Sequence, residues 1–432
     1  MTTPPTLPKR LDPVRLAYQR DRRRGLLILA ISLLVAFPYF LWWVMPSRPL
    51  RMIIVDRTVP DRSYREHQGL IWILNHNRFL RPDGQPWDVT RDYVGFHPDQ
   101  PGRSYSVSNF PADYPPPDVV YWADTYGVYS AEWYLRSIRG ERSRLIHGGV
   151  QQSSVDFARR ARELGGASLF AEFNTFDAPT EPGPRHSMES LFSIEWTGWT
   201  ARWFDDLASV ELPGWLRTSW SGSTGKTWEF SGPGYVFCHE DGRVVVLRAG
   251  AQVGPMRNRL DFAEDEVAET GVTDSVPYLY WFDVVRPTGH ATVRAQYLLD
   301  LTEAGRRTLD SAGIGTTFPA IIRGPGGLEP TWYFAGDWVD TPNAPHVFRY
   351  EGLAWLYRHW PRAADDPDAF FWKVYVPLME YRLGVRADRA MVERDLMESA
   401  ADSMREGLRD SLDRASADSA RRIQRGSEAG RR

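Results

Sequence analysis

Four carboxylic acids follow apolar, strand-like runs in this chain. Asp56 follows Met-Ile-Ile-Val, Asp124 follows Val-Val-Tyr-Trp-Ala, Glu172 follows Leu-Phe-Ala, and Asp337 follows Tyr-Phe-Ala-Gly. In an open parallel sheet the carboxyl ends of the strands line the ligand crevice, so acids placed there are expected to converge. A fifth acid, Glu195, leads the aromatic segment Glu-Trp-Thr-Gly-Trp-Thr-Ala-Arg-Trp. Converging carboxylates can split into an acid and a base with separated pKa values. They can hold a hard cation, here with Asn174, or hydrogen-bond sugar hydroxyls. The alternative is structural, with each acid capping a helix or pairing with an arginine such as Arg202.

On the first reading Asp124 and Glu172 are the working acids and Glu195 and Asp337 assist them, a carboxylate pair being the economical machinery for a glycosidic bond. Asp56, Tyr126, Tyr129, Asn174 and Arg202 would then contact the ligand. Among eighteen tryptophans, Trp196, Trp199, Trp203 and Trp338 lie beside these acids in sequence. Flat indoles suit the apolar faces of pyranose rings, and the alternative is that they fill an aromatic core.

Other chemistry lacks its residues. Gly222-Ser-Thr-Gly-Lys-Thr has Trp220 where a phosphate loop needs its first glycine. The nine histidines show no His-Glu-x-x-His spacing, and the single cysteine, Cys238, cannot build a thiolate zinc site or an internal disulfide. No Gly-x-Ser-x-Gly elbow occurs. No metal ligand set and no cofactor is therefore assigned.

The elements that must position the acids alternate. Residues 51–56 read as a strand, 63–75 as a helix, 118–124 as a strand and 130–137 as a helix. A capping-box-like Ser153-Ser-Val-Asp opens a helix that stops at Gly165-Gly166, and residues 167–173 form the third strand. This is the rhythm of a parallel sheet covered by helices. Residues 81–117, rich in Pro, Gly and Asp, read as an irregular excursion. Between about 210 and 300 the pattern turns antiparallel, with an Asp241-Gly242 hairpin turn and strands over 276–285 and 291–299. A helix over 302–312, strands over 318–322 and 331–335, and a helix over 370–383 complete the domain.

An uncharged run over residues 25–44 is long enough, at ~1.5 Å per helical residue, to cross the ~30 Å hydrocarbon layer of a bilayer. Tyr39, Trp42 and Trp43 form an aromatic belt at one end. Residues 1–24 carry seven basic residues against two acids, which holds the N-terminus in the cytoplasm. A cleaved signal peptide would have a shorter apolar region and a small-x-small site, but here Trp-Trp-Val-Met-Pro-Ser-Arg follows. The expectation is a single-pass inner-membrane protein with a cytoplasmic segment 1–24, an anchor 25–45 and an extracytoplasmic domain 46–385. A charged tail, 386–432, carries a thin apolar stripe at Val392, Leu396, Met404, Leu408 and Leu412. The net charge of −3, with its basic excess at the N-terminus, argues against nucleic acid as partner. The expected partners are the bilayer, an envelope polysaccharide and an envelope protein complex.

The order of segments resembles the flavodoxin-like domain of the class I glutamine amidotransferase-like superfamily, trehalose-utilisation-type members included. Asp118-Val-Val-Tyr-Trp-Ala-Asp124 resembles the family's Asp-Val-Val strand, and Glu163-Leu-Gly-Gly-Ala-Ser-Leu-Phe-Ala-Glu172 resembles its approach to the nucleophile elbow. Tyr333-Phe-Ala-Gly-Asp337 is similar to the late strand of its non-enzymatic branches. The likeness covers residues 50–200 and 315–340. Amidotransferases carry a cysteine at the elbow, where this chain has Glu172-Phe-Asn174, and their His-Glu pair is not recognisable. The resemblance therefore implies a flavodoxin-like, mostly parallel sheet with an antiparallel extension and a crevice, but no glutaminase chemistry. Its functional corollary is a non-catalytic accessory subunit of an exopolysaccharide assembly.

Overall fold

The computed structural model describes residues 13–111, 115–135, 143–273, 275–326, 330–340, 349–362, 366 and 368–429. Fourteen strands matter to the argument. They are β1 (Met52–Asp56), β2 (Val94–Gln100), β3 (Ser104–Val107), β4 (Val119–Asp124), β5 (Ser168–Ala171), β6 (Ile194–Phe204) and β7 (Gly234–His239). The others are β8 (Val244–Arg248), β9 (Arg259–Phe262), β10 (Ser275–Pro277), β11 (Phe282–Pro287), β12 (Thr292–Leu298), β13 (Phe318–Arg323) and β14 (Thr331–Phe334).

Ten of them form one mixed sheet in the order β10-β9-β12-β13-β14-β5-β4-β1-β2-β3. Its centre, β14-β5-β4-β1-β2, is parallel, and both flanks are antiparallel. β1, β4 and β5 are buried at every residue, because helices cover both faces and neither can stay polar. The remaining strands form a second, antiparallel sheet in the order β8-β7-β6-β11. The Asp283 N–H donates to the Ala335 carbonyl at 3.0 Å, tying β11 to the segment after β14. The antiparallel region thus divides between the two sheets, with β9, β10 and β12 extending the parallel one.

The excursion over 81–117 contains β2 and β3. Gly95 and Pro98 hide β2 from a propensity reading, and both have physical reasons. A Cβ on Gly95 would lie 1.7 Å from the Asp56 carbonyl oxygen. Pro98 lies beyond the two residues of β2 that pair with β1, where a missing N–H costs little.

Helix α1 (Pro13–Val44) contains the apolar run, with Pro38 inside it. Its apolar stretch is long enough to span a membrane or to be a signal sequence, and it is exposed. Its last turns rest on the domain: Trp42 Nε1 donates to the His76 carbonyl at 2.8 Å, and the Arg78 guanidinium lies 4.9 Å over the Trp42 ring. Helix α2 (Arg65–His76) follows β1. Helix α3 (Gln152–Gly165) begins one residue before Ser153, without a side-chain cap, and ends on Gly166 in the left-handed conformation. The helix expected at 130–137 is described as Ser130–Leu135, its last two residues lying outside the described ones.

Helix α4 (Val376–Ala429) continues a π-helical turn, Phe371–Tyr375, and runs unbroken past residue 386. Its beginning is core, with Tyr375, Leu378, Met379 and Leu383 fully buried. Arg386 is buried too, donating to the carbonyls of Asp118 (3.1 Å) and Gly166 (3.2 Å) at the starts of β4 and β5. The helix thereby seals the end of the sheet opposite the acids. From Met391 onward its described apolar side chains, including Val392, Leu396, Met404, Leu408 and Leu412, are exposed.

Candidate functional site: a carboxylate rim

β1 and β4 end side by side, with Asp56 in register with Asp124. Asp56 is fully buried. One of its oxygens accepts the Thr58 N–H at 2.9 Å, and the other faces His67 Nδ1 at 2.5 Å. His67 Nε2 lies 2.8 Å from the Val89 carbonyl, which can only accept. His67 thus bridges the Asp56 carboxylate and the Val89 carbonyl.

Asp124 is held by three donors: the Thr58 hydroxyl at 2.7 Å, the Tyr126 N–H at 2.6 Å and Asn174 Nδ2 at 3.1 Å. Asn174 adopts φ 66°, which asparagine tolerates better than most residues and which carries its amide to Asp124. Burial raises the Asp124 carboxyl to about 7, helped by the charges of Asp337 and Asp56 and opposed by the donors. Glu66, in the first turn of α2, joins the same field. Burial foremost, then Asp337, with Asp124 and Asp56 adding to it, pushes its carboxyl well above the usual range, and Arg65 opposes them.

Glu172 lies just past β5 and is fully buried. It accepts from the Tyr121 hydroxyl and from the backbone N–H groups of Trp338 (2.9 Å) and Val339 (3.0 Å). Burial pushes this carboxyl well up against those three donors. Glu172 is thus a clamp on residues 338–339, flanked by Asp337 and Asp340. The Asp337 N–H also donates to the Tyr278 hydroxyl at 3.0 Å. One oxygen each from Glu66, Asp337 and Asp340 lies within 4.8 Å of the other two.

The other residues singled out in the sequence divide. The Tyr126 ring packs against Tyr129 at a tilt of 42°, with centroids 4.8 Å apart. Burial, then Tyr129, Glu132 and Asp124, raise the Tyr126 phenol, which places it beside the rim. Arg202 lies over the Phe204 ring at 4.9 Å and 3.8 Å from Glu211. It reaches the rim through Tyr280 and Tyr278, each of which also feels Asp337. Glu195 is not at the rim. It is exposed on β6 in the second sheet, 3.5 Å from Arg286.

The tryptophan platform does not form. Trp196, Trp199, Trp203 and Trp338 are between 1% and 6% exposed and have no face to offer a sugar. Trp196 Nε1 donates to Asp283 and Trp203 Nε1 to Asp205, Trp199 packs edge-on against His239, and Trp338 stacks on Phe334. The three on β6 form core because the ten-stranded sheet, invisible as a neighbour in sequence, packs against the second sheet that carries them. Cys238 is buried with its sulfur 2.9 Å from the Thr200 hydroxyl.

Sequence reasoning missed Glu66, Arg65 and Asp340, and placed His67 only on an apolar helix face. The available signal was an acid in the first turn of a helix entered directly from a strand that ends in an acid. A cavity of about 530 Å³ lies elsewhere, between α3 and residues 109–111 and 116–117, and among the described residues no acid lines it.

No family model matches the chain, and no curated protein does. Among solved structures, a carbohydrate deacetylase is similar at 9% identity and TM-score 0.32, over 67% of this chain and 30% of that one. An exo-β-1,4-mannosidase from an Opitutaceae bacterium is similar at 10% identity and TM-score 0.25, over 67% of this chain and 32% of that one. A ThuA-like protein from Bacteroides uniformis is similar at 9% identity and TM-score 0.30, over 72% of this chain and 92% of that one. The chain thus spans about a third of the first two proteins, and at these scores none of the three carries an argument.

Proposed function

We propose that this chain is held in the cytoplasmic membrane by residues 25–44, with its N-terminus inside, and binds or processes an envelope polysaccharide at the carboxylate rim. The observation that carries the reading is the convergence of Asp56, Asp124 and Asp337, after the carboxyl ends of the parallel strands β1, β4 and β14, with Glu66 of α2, burial raising the Asp124 carboxyl to about 7. A carboxyl held near 7 can both give and take a proton at ordinary pH. Asp124 is the working acid, Asp337 and Glu66 set its field, and Glu172 positions the loop. Tyr126 and Asn174 border the Asp124 carboxylate and would orient hydroxyls there. The tryptophans and Glu195 have no part. The flavodoxin-like, amidotransferase-like descent belongs to the same proposal, supported by the parallel centre of the sheet, β14-β5-β4-β1-β2, and departing from that family in carrying Glu172 where it has the elbow cysteine.

The test is calorimetric titration of the full chain in detergent with soluble envelope glycans, beside Asp124→Asn. Binding or turnover lost in D124N with its melting transition preserved supports the reading. Wild-type affinity and turnover in D124N sink it. The exposed apolar side chains of α4 beyond residue 391 favour a second reading, a non-catalytic accessory subunit of an exopolysaccharide assembly. Under it, D124N leaves assembly intact and truncation after residue 390 disrupts it.

A further inference from the structure

We infer that Glu66, Asp337 and Asp340 form a binding site for one hard divalent cation of the magnesium, manganese or calcium class. Two oxygens bound to one cation at about 2.1–2.4 Å lie no more than about 4.8 Å apart. The three carboxylates meet that limit as they stand.

The acids are also under-supplied with partners. The Glu66 side chain is 8% exposed, and its ion-pair partner is Arg65 Nε at 3.1 Å. Among the described residues its carboxylate receives no hydrogen bond. The Asp340 side chain is 7% exposed; one oxygen pairs with Arg65, while the other, Oδ1, is buried and has no hydrogen-bond partner. A buried, unfilled acceptor such as Asp340 Oδ1, on a side chain more than nine-tenths buried in a cluster of carboxylates, is costly unless something positive completes it. Asp56 and Asp124 add to the negative field at Glu66. Among the described residues, Arg65 is the guanidinium that pairs with Glu66 and Asp340, and the nearby imidazole, His67, is engaged with Asp56. Oxygen-only donors select a hard cation over zinc or copper.

The support is pre-built. Glu172 grips the two backbone N–H groups between Asp337 and Asp340, so both ligands are fixed by one buried clamp. Glu66 is fixed by the first turn of a helix that starts at the rim. The inference deepens the saccharide reading, since it rests on the same rim. Its test uses the cation alone, so that the two can fail separately.

The full chain in detergent is stripped with EDTA and titrated with MnCl2 at pH 7.5, bound manganese being read by electron paramagnetic resonance. CaCl2 and MgCl2 are then added as competitors. The expected result is one saturable site, weakened at least tenfold by Glu66→Gln and by Asp340→Asn and unchanged by Glu195→Gln. Manganese should also raise the melting temperature of the wild type but not of E66Q. Removing a buried charge should make E66Q at least as stable as the stripped wild type, so loss of binding cannot be put down to unfolding. A folded wild type that binds no manganese, or binding that survives both substitutions unchanged, overturns the inference. Cation binding without saccharide binding would overturn only the saccharide reading.

Discussion

Replacing Glu172 distinguishes a clamp from a working acid. In Glu172→Ala the Trp338 and Val339 N–H groups lose their acceptor in a fully buried place. Each orphaned donor costs about 1–3 kcal/mol, and the emptied volume adds to that, so E172A should lose roughly 3–6 kcal/mol. Glu172→Gln is different. Its carbonyl can take both N–H groups, while its NH2 faces the Tyr121 hydroxyl, which can turn to accept and donate instead to Tyr375, 2.9 Å away. E172Q should therefore lose no more than about 1 kcal/mol.

The pH dependence sharpens the contrast. The folded carboxyl is raised above its ordinary value of 4.5, so between that value and its own pKa the folded state holds a proton that the unfolded chain has released. Stability then falls as pH rises, by up to about 1.4 kcal/mol per pH unit for this group. E172Q should remove that share of the slope. Urea unfolding of wild type, E172Q and E172A between pH 5 and 7.5 measures all of it. If E172Q is as unstable as E172A, or leaves the slope unchanged, the clamp argument is wrong. If E172Q folds well but loses turnover on a saccharide, Glu172 is a catalytic group rather than a positioning one.

Three further perturbations have definite expectations. Burial raises Asp283 to about 8 despite donors from Tyr333 and Trp196, so its contribution to stability falls as pH rises from about 4 to 8, and Asp283→Asn should flatten urea midpoints over that window. Arg382 joins α4 to the fully buried Glu266 at 2.5 Å and lies 3.8 Å over the Trp332 ring; Arg382→Ala should cost about 3–5 kcal/mol, reduced because Arg294 still pairs with Glu266, as read by thermal unfolding. Gly95→Ala should detach β2 from β1, since its Cβ would collide with the Asp56 carbonyl, and backbone hydrogen exchange at Val94–Phe96 should rise sharply.

The parallel centre of the fold was legible because a strand buried on both faces is a short apolar run, and an acid after it marks where it leaves the core. Asp56, Asp124, Glu172 and Asp337 could be placed at strand ends for that reason. Their division of labour could not, because it depends on which acid keeps its lone pairs free. Glu172 has both oxygens engaged by donors, whereas Glu66 has none of that kind among the described residues. The indoles failed for a related reason. Trp196, Trp199 and Trp203 lie beside Glu195 and Arg202 in sequence, but β7 and β11 flank β6 and the opposing sheet closes its face. β2 was missed because close contact with β1 demands a residue type that propensity counts against strands.

The direction in which the rim faces follows from α2. β1 starts near the end of the apolar helix, where residues 48–49 pair with 79–80, and ends at Asp56 on the rim. Helix α2 leaves the rim at Glu66 and returns, ten residues later, to His76, whose carbonyl binds the Trp42 indole. Ten residues at ~1.5 Å each separate the acids from the apolar helix by roughly 15 Å along that axis. Trp42, Arg78 and the Pro38 carbonyl, which accepts the Glu351 N–H at 3.1 Å, fix this orientation at several points. Whatever layer holds the apolar helix therefore lies across the sheet from the carboxylates. That placement fits the proposed ligand, a water-borne, hydroxyl-rich polymer reaching the acids from the side of the domain away from the apolar helix.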